Sequence, residues 1–157
     1  MSPITVLSHH PDETMKLGAS FAQHLKGGEI LCLWGDLGTG KTTFIKGIAC
    51  GLKIDPAKVQ SPTFVLMNAY EGRLPLFHFD FYRIEHEKEI LALGFEEYFY
   101  GQGVTVVEWA QKLGSLLPRE YLRLELSHKT ENERLIQISA LGKHYADLIH
   151  RNFQSEF

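Results

Sequence analysis

The amino-acid sequence predicts an α/β fold, a three-layer sandwich in which helices cover both faces of a mainly parallel central sheet with antiparallel hairpins. Three observations predict it. The apolar stretch Ile30–Trp34 leads through a glycine-rich loop into a segment whose apolar residues have helical spacing. A second apolar stretch, 104–107, follows another helical segment, and two pairs of strand-like segments enclose polar turns. We expect the 157 residues to form one domain, 1–157, around a single core.

The first helix is predicted to begin at Pro11. Proline is tolerated at the first helical position, and the acidic Asp12 and Glu13 complement the positive end of the helix dipole. Apolar residues then recur at helical spacing until two glycines end the segment: Leu17, Phe21, Ala22 and Leu25, then Gly27 and Gly28.

The stretch Ile30–Trp34 is too short for a helix and apolar throughout, which is typical of a strand buried on both faces. Apolar residues between 44 and 52 then form one face of a second helix. Cys32 lies in this strand and Cys50 in this helix, and we expect both to be buried free thiols because paired cysteines favour loops of secreted proteins.

The middle of the chain predicts a hairpin and a helix. Strand-like segments 65–70 and 74–79 enclose the turn Glu71-Gly72-Arg73. Residues 85–99 have helical character, and Gly94 is expected to bend or break that helix.

The C-terminal third predicts three further elements. Residues 104–107, Val-Thr-Val-Val, predict a buried strand. Leucines at 122, 124 and 126 alternate with charged residues, and together with 135–138 they predict a second hairpin. The tail Lys143–Phe153 predicts a closing helix.

The loop between the first predicted strand and the second helix has the Walker A pattern, Gly-Asp-Leu-Gly-Thr-Gly-Lys-Thr. Its glycines allow successive backbone N–H groups to surround phosphate oxygens, and the following helix adds the positive end of its dipole. Lys41 is expected to reach the β- and γ-phosphates, and the Thr42 hydroxyl to ligate Mg²⁺. The sequence therefore predicts a P-loop NTPase-like fold that binds ATP or GTP with Mg²⁺. The loop residues expected to contact the nucleotide are Asp36, Leu37, Gly38, Thr39, Gly40, Lys41, Thr42 and Thr43.

Two carboxylates follow apolar strands, Asp80 after 76–79 and Glu108 after 104–107. The carboxyl ends of parallel strands open onto the crevice in which a phosphate loop lies, so we expect both side chains to face it. A P-loop enzyme needs such a carboxylate near its metal ion. Spacing alone leaves open which of the two contacts Mg²⁺ and which orients the attacking water.

Composition argues against several other functions. The formal net charge of −3 and the scattered basic residues are unlike a protein that grips nucleic acid unaided. The N-terminal segment has no signal-peptide pattern and no stretch is long enough to span a membrane, so a cytoplasmic location is expected. The eight histidines show no metal-binding spacing, and we interpret all of them as solvated or as satisfied core residues.

The chain resembles the bacterial TsaE family, also called YjeE. The matching motifs, in matching order, are Gly-Asp-Leu-Gly-Thr-Gly-Lys-Thr-Thr at 35–43, Ser-Pro-Thr-Phe at 61–64, His-Phe-Asp-Phe-Tyr-Arg at 78–83 and Val-Glu-Trp at 107–109. A Walker loop is shared by many families, whereas its combination with the second and third motifs is far more specific. The resemblance covers roughly residues 10 to 140.

The resemblance implies an ATPase that acts on a TsaD–TsaB complex and is needed for threonylcarbamoyladenosine modification of ANN-decoding tRNAs, with tRNA contacted only through that complex. It implies catalytic roles for Lys41, Asp80 and Glu108. Thr42 and Glu108 would ligate Mg²⁺, with Asp80 supporting the metal or the water.

The resemblance also implies contacts with the rest of the nucleotide. Thr63 would belong to a switch-like loop, although spacing alone favours a simple turn at that point, and Trp109 would lie against the site. The adenine would lie between Pro11 and Arg134. Gln111 occupies a position where many relatives have an acid, so it receives no catalytic role.

Two alternative functions are compatible with the Walker A loop. A small-molecule kinase shares the loop and the length, but such kinases carry an arginine-rich lid, and the six arginines here are scattered. A non-hydrolysing nucleotide switch would bind ATP and partners without turnover. The Asn/Thr-Lys-x-Asp pattern that reads guanine does not occur in the sequence, so ATP is expected to be preferred over GTP.

Overall fold

The computed structural model describes residues 3–154, and in this part of the chain seven strands form one sheet flanked by five α-helices. The strands are β1 (Ile4–Ser8), β2 (Ile30–Trp34), β3 (Met67–Tyr70), β4 (Leu76–Asp80), β5 (Val104–Glu108), β6 (Tyr121–His128) and β7 (Arg134–Leu141). The helices are α1 (Pro11–Ala22), α2 (Lys41–Gly51), α3 (Glu87–Leu91), α4 (Phe95–Phe99) and α5 (Lys143–Phe153).

The strand order across the sheet is β1-β7-β6-β2-β5-β4-β3. The four strands β6, β2, β5 and β4 run parallel, and antiparallel pairs flank them on both sides. All five residues of β5 and the first four of β2 are buried, as expected for central parallel strands covered on both faces. The predicted α/β class, with a parallel centre and antiparallel hairpins, is confirmed.

Two hydrophobic clusters, one on each face of the sheet, join it to the helices that cover it. One cluster contains residues of α1, α2 and α5, and the other contains residues of α3, α4 and the short 3₁₀ segment Ala110–Leu116. The side chains of β5 alternate between them, with Val104 and Val106 in the first and Val107 in the second. These clusters are the two interfaces of the predicted three-layer sandwich.

Helices α1 and α2 approach each other closely because glycines lie at their contact. A Cβ atom on Gly18 would overlap the carbonyl oxygen of Phe44, and one on Gly47 would overlap the carbonyl oxygen of Met15. This contact fixes the position of the first turn of α1 relative to the first turn of α2, the two turns that border the cleft described below.

Replacing Gly47 by alanine is expected to lower the free energy of unfolding by about 1–3 kcal/mol, since the added methyl group must displace the backbone of α1. Helix propensity alone would make the variant more stable, because alanine is favoured over glycine in a helix interior by up to about 1 kcal/mol. A loss of stability therefore indicates the steric contact with α1. Urea unfolding of Gly47→Ala tests this, with Cys50→Ala, at an exposed position of the same helix, as the matched control. A Gly47→Ala variant as stable as that control would contradict the close helix contact.

Several sequence predictions need correction. The edge strand β1 was not predicted; it is only five residues long and pairs with β7 alone. Helix α1 ends at Ala22 rather than near Gly27, because the backbone hydrogen bonds change after it to the i→i−3 pattern, with Leu25 N–H donating to the Ala22 carbonyl oxygen. Strand β3 begins at Met67 rather than at 65, since Leu66 has a left-handed backbone conformation with φ of 70°.

Other predictions agree with the structure. The segment 85–99 is broken at Gly94, which has φ of 67° and separates α3 from α4, although α3 begins only at Glu87. The hairpin β6–β7 and helix α5 are present at the predicted places. Cys32 is buried, but Cys50 is exposed, because it lies on the solvent side of α2. No helix formed by residues 3–154 combines the length and the apolar character that crossing a membrane requires.

Candidate functional site

A cleft of about 740 Å³ lies at the carboxyl ends of the parallel strands, where ligands bind in open α/β sheets. Its walls come from the glycine-rich loop, the ends of β4 and β5, the start of α1 and the turn between β6 and β7. The lining residues that the sequence predicted for the site are Pro11, Leu37, Gly38, Thr39, Gly40, Lys41, Thr42, Thr43, Thr63, Asp80, Glu108, Trp109 and Arg134. Asp36, also predicted, is exposed and does not line the cleft.

The glycine-rich loop has the backbone that its sequence predicts. Gly35, Gly38 and Gly40 all have positive φ, at 144°, 78° and 100°, which residues with a Cβ rarely adopt. Gly40 directly precedes the first residue of α2, Lys41, so the positive end of this helix dipole points into the cleft. A loop of this shape at a helix N-terminus is suited to binding anions.

The side chain of Lys41 folds over the loop and is 5% exposed. Its ammonium group donates hydrogen bonds to the carbonyl oxygens of Gly35 and, at 3.1 Å, of Asp36, and lies 4.4 Å from the centre of the Trp109 ring. Burial lowers the pKa of this ammonium group, while the nearby carboxylate of Glu108 opposes the shift. The charge therefore lies in the cleft, within reach of a ligand held by the loop.

Glu108 is 3% exposed and contacts two side chains at the bottom of the cleft. Its Oε1 accepts a hydrogen bond from the Thr42 hydroxyl at 3.3 Å, and its Oε2 lies 2.7 Å from Nε2 of His78. A threonine hydroxyl and a carboxylate oxygen are thus side by side at the start of α2. Both are hard oxygen donors of the type that Mg²⁺ prefers.

Asp80 is also 3% exposed, but its partners belong to a different loop. Its Oδ2 accepts hydrogen bonds from Ser61 and, at 3.1 Å, from Thr63, and its Oδ1 accepts one from the backbone N–H of Tyr82 at 2.9 Å. Asp80 and Glu108 are partners in the β4–β5 register, so the two carboxylates are neighbours at the cleft, as their strand-end positions predict. Their contacts differ: Glu108 faces Thr42, whereas Asp80 holds the 61–63 loop.

Trp109 follows β5 directly and has a left-handed backbone with φ of 59°. This conformation costs a non-glycine residue on the order of 1–2 kcal/mol, so it needs compensation elsewhere. The indole ring contacts the Lys41 ammonium group and the ring of Tyr82, whose centre is 5.0 Å away. The strained turn places an aromatic ring beside the loop.

The two residues proposed to enclose a base, Pro11 and Arg134, both line the cleft, although they are far apart in the sequence. A single nitrogen of Arg134, Nη1, lies within hydrogen-bond distance of three carbonyl oxygens of its own hairpin, at Thr130, Glu131 and Glu133. Pro11 follows His10, whose side chain caps α1. Contact of either residue with a base stays a prediction.

Several residues of the cleft were not singled out from the sequence: His9, His10, Thr14, Ser61, Tyr82, Glu131 and Asn132. Tyr82 belongs to the motif His-Phe-Asp-Phe-Tyr-Arg at 78–83, in which Phe79 and Phe81 are buried but Tyr82 is exposed. His78, which the sequence placed among solvated or satisfied core histidines, is fully buried, and its partner is Glu108. No periodicity in the sequence indicates that contact.

Within residues 3–154, no group of three or more His, Cys, Asp or Glu side chains is placed to hold a metal ion. Mg²⁺ in nucleotide sites is usually held by one or two protein ligands together with substrate phosphates and waters. Thr42 and Glu108 match that small donor set.

Comparisons with known proteins agree with the fold and the motifs. The model of the family "Threonylcarbamoyl adenosine biosynthesis protein TsaE" matches residues 8–136. The tRNA threonylcarbamoyladenosine biosynthesis protein TsaE of Bacillus subtilis is 46% identical over 137 residues, which cover 87% of this chain and 85% of that protein. The protein of the same name from Nostoc sp. is 38% identical over 143 residues, covering 88% and 86%.

A solved structure is similar over the whole length. The crystal structure of Bacillus subtilis YdiB superposes with a TM-score of 0.83 at 35% identity, covering 100% of this chain and 99% of that one. Agreement at this level in sequence and structure places the resemblance noted from the motifs on a firm basis. The chain belongs to the TsaE family of tRNA threonylcarbamoyladenosine biosynthesis proteins.

Proposed function

We propose that this chain is a weak ATP hydrolase that binds ATP with Mg²⁺, acts on a TsaD–TsaB complex in the cytoplasm, and is required for threonylcarbamoyladenosine modification of ANN-decoding tRNAs. One observation carries the proposal: the Thr42–Glu108 contact lies beside Lys41 at the start of α2, in a cleft that also contains Asp80. This is the set of groups that P-loop hydrolysis needs.

The residues of the cleft have different roles in ATP binding and hydrolysis. The backbone of the loop and Lys41 bind the phosphates, and Thr42 with Glu108 holds Mg²⁺. Mg²⁺ neutralises charge on the transferred phosphoryl group. Asp80, held by Ser61 and Thr63, orients the attacking water, because it is the second strand-end carboxylate at the cleft and its partners lie in the 61–63 loop.

Hydrolysis by the isolated chain is expected to be slow. Among residues 3–154, Arg134 is the only arginine that lines the cleft, and its Nη1 donates to carbonyl oxygens of its own hairpin rather than to the phosphate loop. An arginine that stabilises the transition state is worth about 10³- to 10⁵-fold in rate. We therefore propose that the TsaD–TsaB complex activates the enzyme or is itself the object on which hydrolysis acts.

Reconstituted tRNA modification tests the proposal. TsaD, TsaB, tRNA and a supply of the activated threonylcarbamoyl group are combined with and without this chain and ATP. We expect repeated turnover only when both are present, and loss of that turnover with Glu108→Gln but not with Glu71→Gln, a change in an exposed turn. Equal product without this chain would refute the function, and full support by Glu108→Gln would favour the non-hydrolysing switch.

The isolated chain should bind tRNA poorly at physiological salt, because its net charge is −3 and phosphate-backbone affinity needs clustered basic residues. A filter-binding assay with labelled tRNA checks this, with the assembled complex as the positive control. Sub-micromolar binding by the chain alone would contradict an indirect role toward tRNA.

Trp109 should report nucleotide binding through its fluorescence, since its ring contacts Lys41 in the cleft. The chain provides its own control: Trp34 stacks on Tyr121 and Arg123 and does not line the cleft. We expect the emission change on addition of ATP to persist in Trp34→Phe and to be mostly lost in Trp109→Phe. The reverse result would place the nucleotide elsewhere.

A further inference from the structure

His78 lies in the middle of β4 and its side chain is 0% exposed. Two residues before it is the core residue Leu76 and two residues after it is Asp80, so all three point to the α2 side of the sheet. The flanking Phe77 and Phe79 belong to the cluster on the opposite face. An apolar side chain would fill this position at lower cost, because a buried polar group needs compensating hydrogen bonds.

The imidazole makes one hydrogen bond among the described residues. Its Nε2 lies 2.7 Å from Oε2 of Glu108, and its Nδ1 has no hydrogen-bond partner within residues 3–154. Because a carboxylate oxygen only accepts, Nε2 is the donor. The ring is therefore buried for the sake of a single contact, and that contact is with Glu108.

The sheet register explains the direction of the bond. His78 is paired with Val106, and Asp80 with Glu108, so Nε2 reaches toward the carboxyl end of the sheet to meet the glutamate. The two carboxylate oxygens of Glu108 thus have separate partners: Oε2 has the histidine, and Oε1 has the Thr42 hydroxyl at 3.3 Å. Holding one oxygen fixes the rotation of the carboxylate and directs the other toward Thr42.

We propose that His78 is a positioning residue that orients Glu108 for magnesium. The inference rests on the proposed ATP–Mg²⁺ function and assigns to that site a residue that does not line the cleft. Hydrogen bonds from outside the ligand sphere orient metal ligands in this way, and their loss typically reduces metal affinity or activity about 10- to 100-fold.

The test measures how much Mg²⁺ strengthens binding of a non-hydrolysable ATP analogue, as the ratio of the dissociation constants in EDTA and in Mg²⁺. His78→Leu should reduce this ratio at least about fivefold and leave the affinity in EDTA unchanged, because the phosphate loop is untouched. His78→Gln should restore most of the ratio, since its amide nitrogen reaches the place of Nε2, whereas the shorter His78→Asn should not. The Gln and Asn variants both bury an amide, so their comparison holds even if the leucine variant folds poorly.

Two controls separate positioning from packing. Thr105→Val removes a buried side-chain hydrogen bond, 3.1 Å to Tyr98 O, on the opposite face of β5, and should lower stability without changing the magnesium ratio. In a Glu108→Gln background, His78→Leu should change the ratio no further, because the two residues act as one unit.

The outcomes distinguish failure of the role assigned to His78 from failure of the proposed ATP–Mg²⁺ function. Equal ratios for wild type and His78→Leu, or equal ratios for the Gln and Asn variants, would overturn the role of His78 and leave the ATP–Mg²⁺ site standing. The same loss in both backgrounds would show that His78 acts on something other than Glu108. A wild-type chain that does not bind the analogue, or whose binding ignores Mg²⁺, would refute the proposed function and the positioning role together.

Discussion

Glu108→Gln is expected to lower the rate of ATP hydrolysis at least about tenfold while ATP still binds. The substitution keeps the size of the side chain and removes its negative charge. The remaining carbonyl oxygen would accept the hydrogen bond from His78, so the new amide group would face the Thr42 hydroxyl. An amide N–H cannot ligate Mg²⁺, whereas the loop and Lys41 continue to bind the phosphates.

The measurement is a steady-state phosphate-release assay paired with a titration of ATP binding on the same preparation. Glu71→Gln makes the same chemical change at an exposed turn and should behave as wild type. Normal hydrolysis by Glu108→Gln would show that this glutamate only ends its strand. In that case the magnesium role would pass to Asp80, the other carboxylate that ends a parallel strand at the cleft.

Lys41→Ala should weaken ATP binding by about 1.5–3 kcal/mol, the value of a charge-assisted hydrogen bond. This corresponds to roughly a 10- to 150-fold increase in the dissociation constant. The fold should survive, since Lys41 contacts carbonyl oxygens of its own loop rather than the core. Burial lowers the pKa of this ammonium group, and a bound triphosphate would favour its charged form.

Calorimetric titration with ATP checks the prediction, and thermal unfolding confirms that the variant is folded. Lys46→Ala, five residues further along α2 and outside the cleft, removes the same charge from the same helix. If both variants bind ATP equally well, the phosphate contact assigned to Lys41 is wrong. If both lose affinity equally, the effect is one of general charge and not of position.

The sequence predicted those elements whose own residues match the environment in which the element lies. Strand β2 is apolar throughout and β5 is rich in valine because both strands are covered on both faces, and the break at Gly94 follows from its backbone freedom. Strand β1 could not be recognised in the same way, because five residues at a sheet edge depend on their pairing with β7. The exposure of Cys50 depends on which side of α2 faces the sheet.

In the candidate site, too, the local sequence predicts some features, and contacts between distant segments decide the others. The loop from Gly35 to Thr42 is one continuous segment, so its sequence alone indicates its shape and its chemistry. The different contacts of Asp80 and Glu108 arise from segments far away in the chain, the 61–63 loop for one and α2 for the other. Spacing along the chain carries no information about such contacts, and the same holds for the bond between His78 and Glu108.

We propose above all that the cleft at the carboxyl ends of β2, β4 and β5 binds ATP together with Mg²⁺. Calorimetric titration of the wild-type chain with ATP and with GTP, each in Mg²⁺ and in EDTA, tests it most directly. We expect one ATP site per chain, tighter binding in Mg²⁺ than in EDTA, and weaker binding of GTP. Absence of ATP binding, indifference to Mg²⁺, or GTP binding as tight as that of ATP would contradict it.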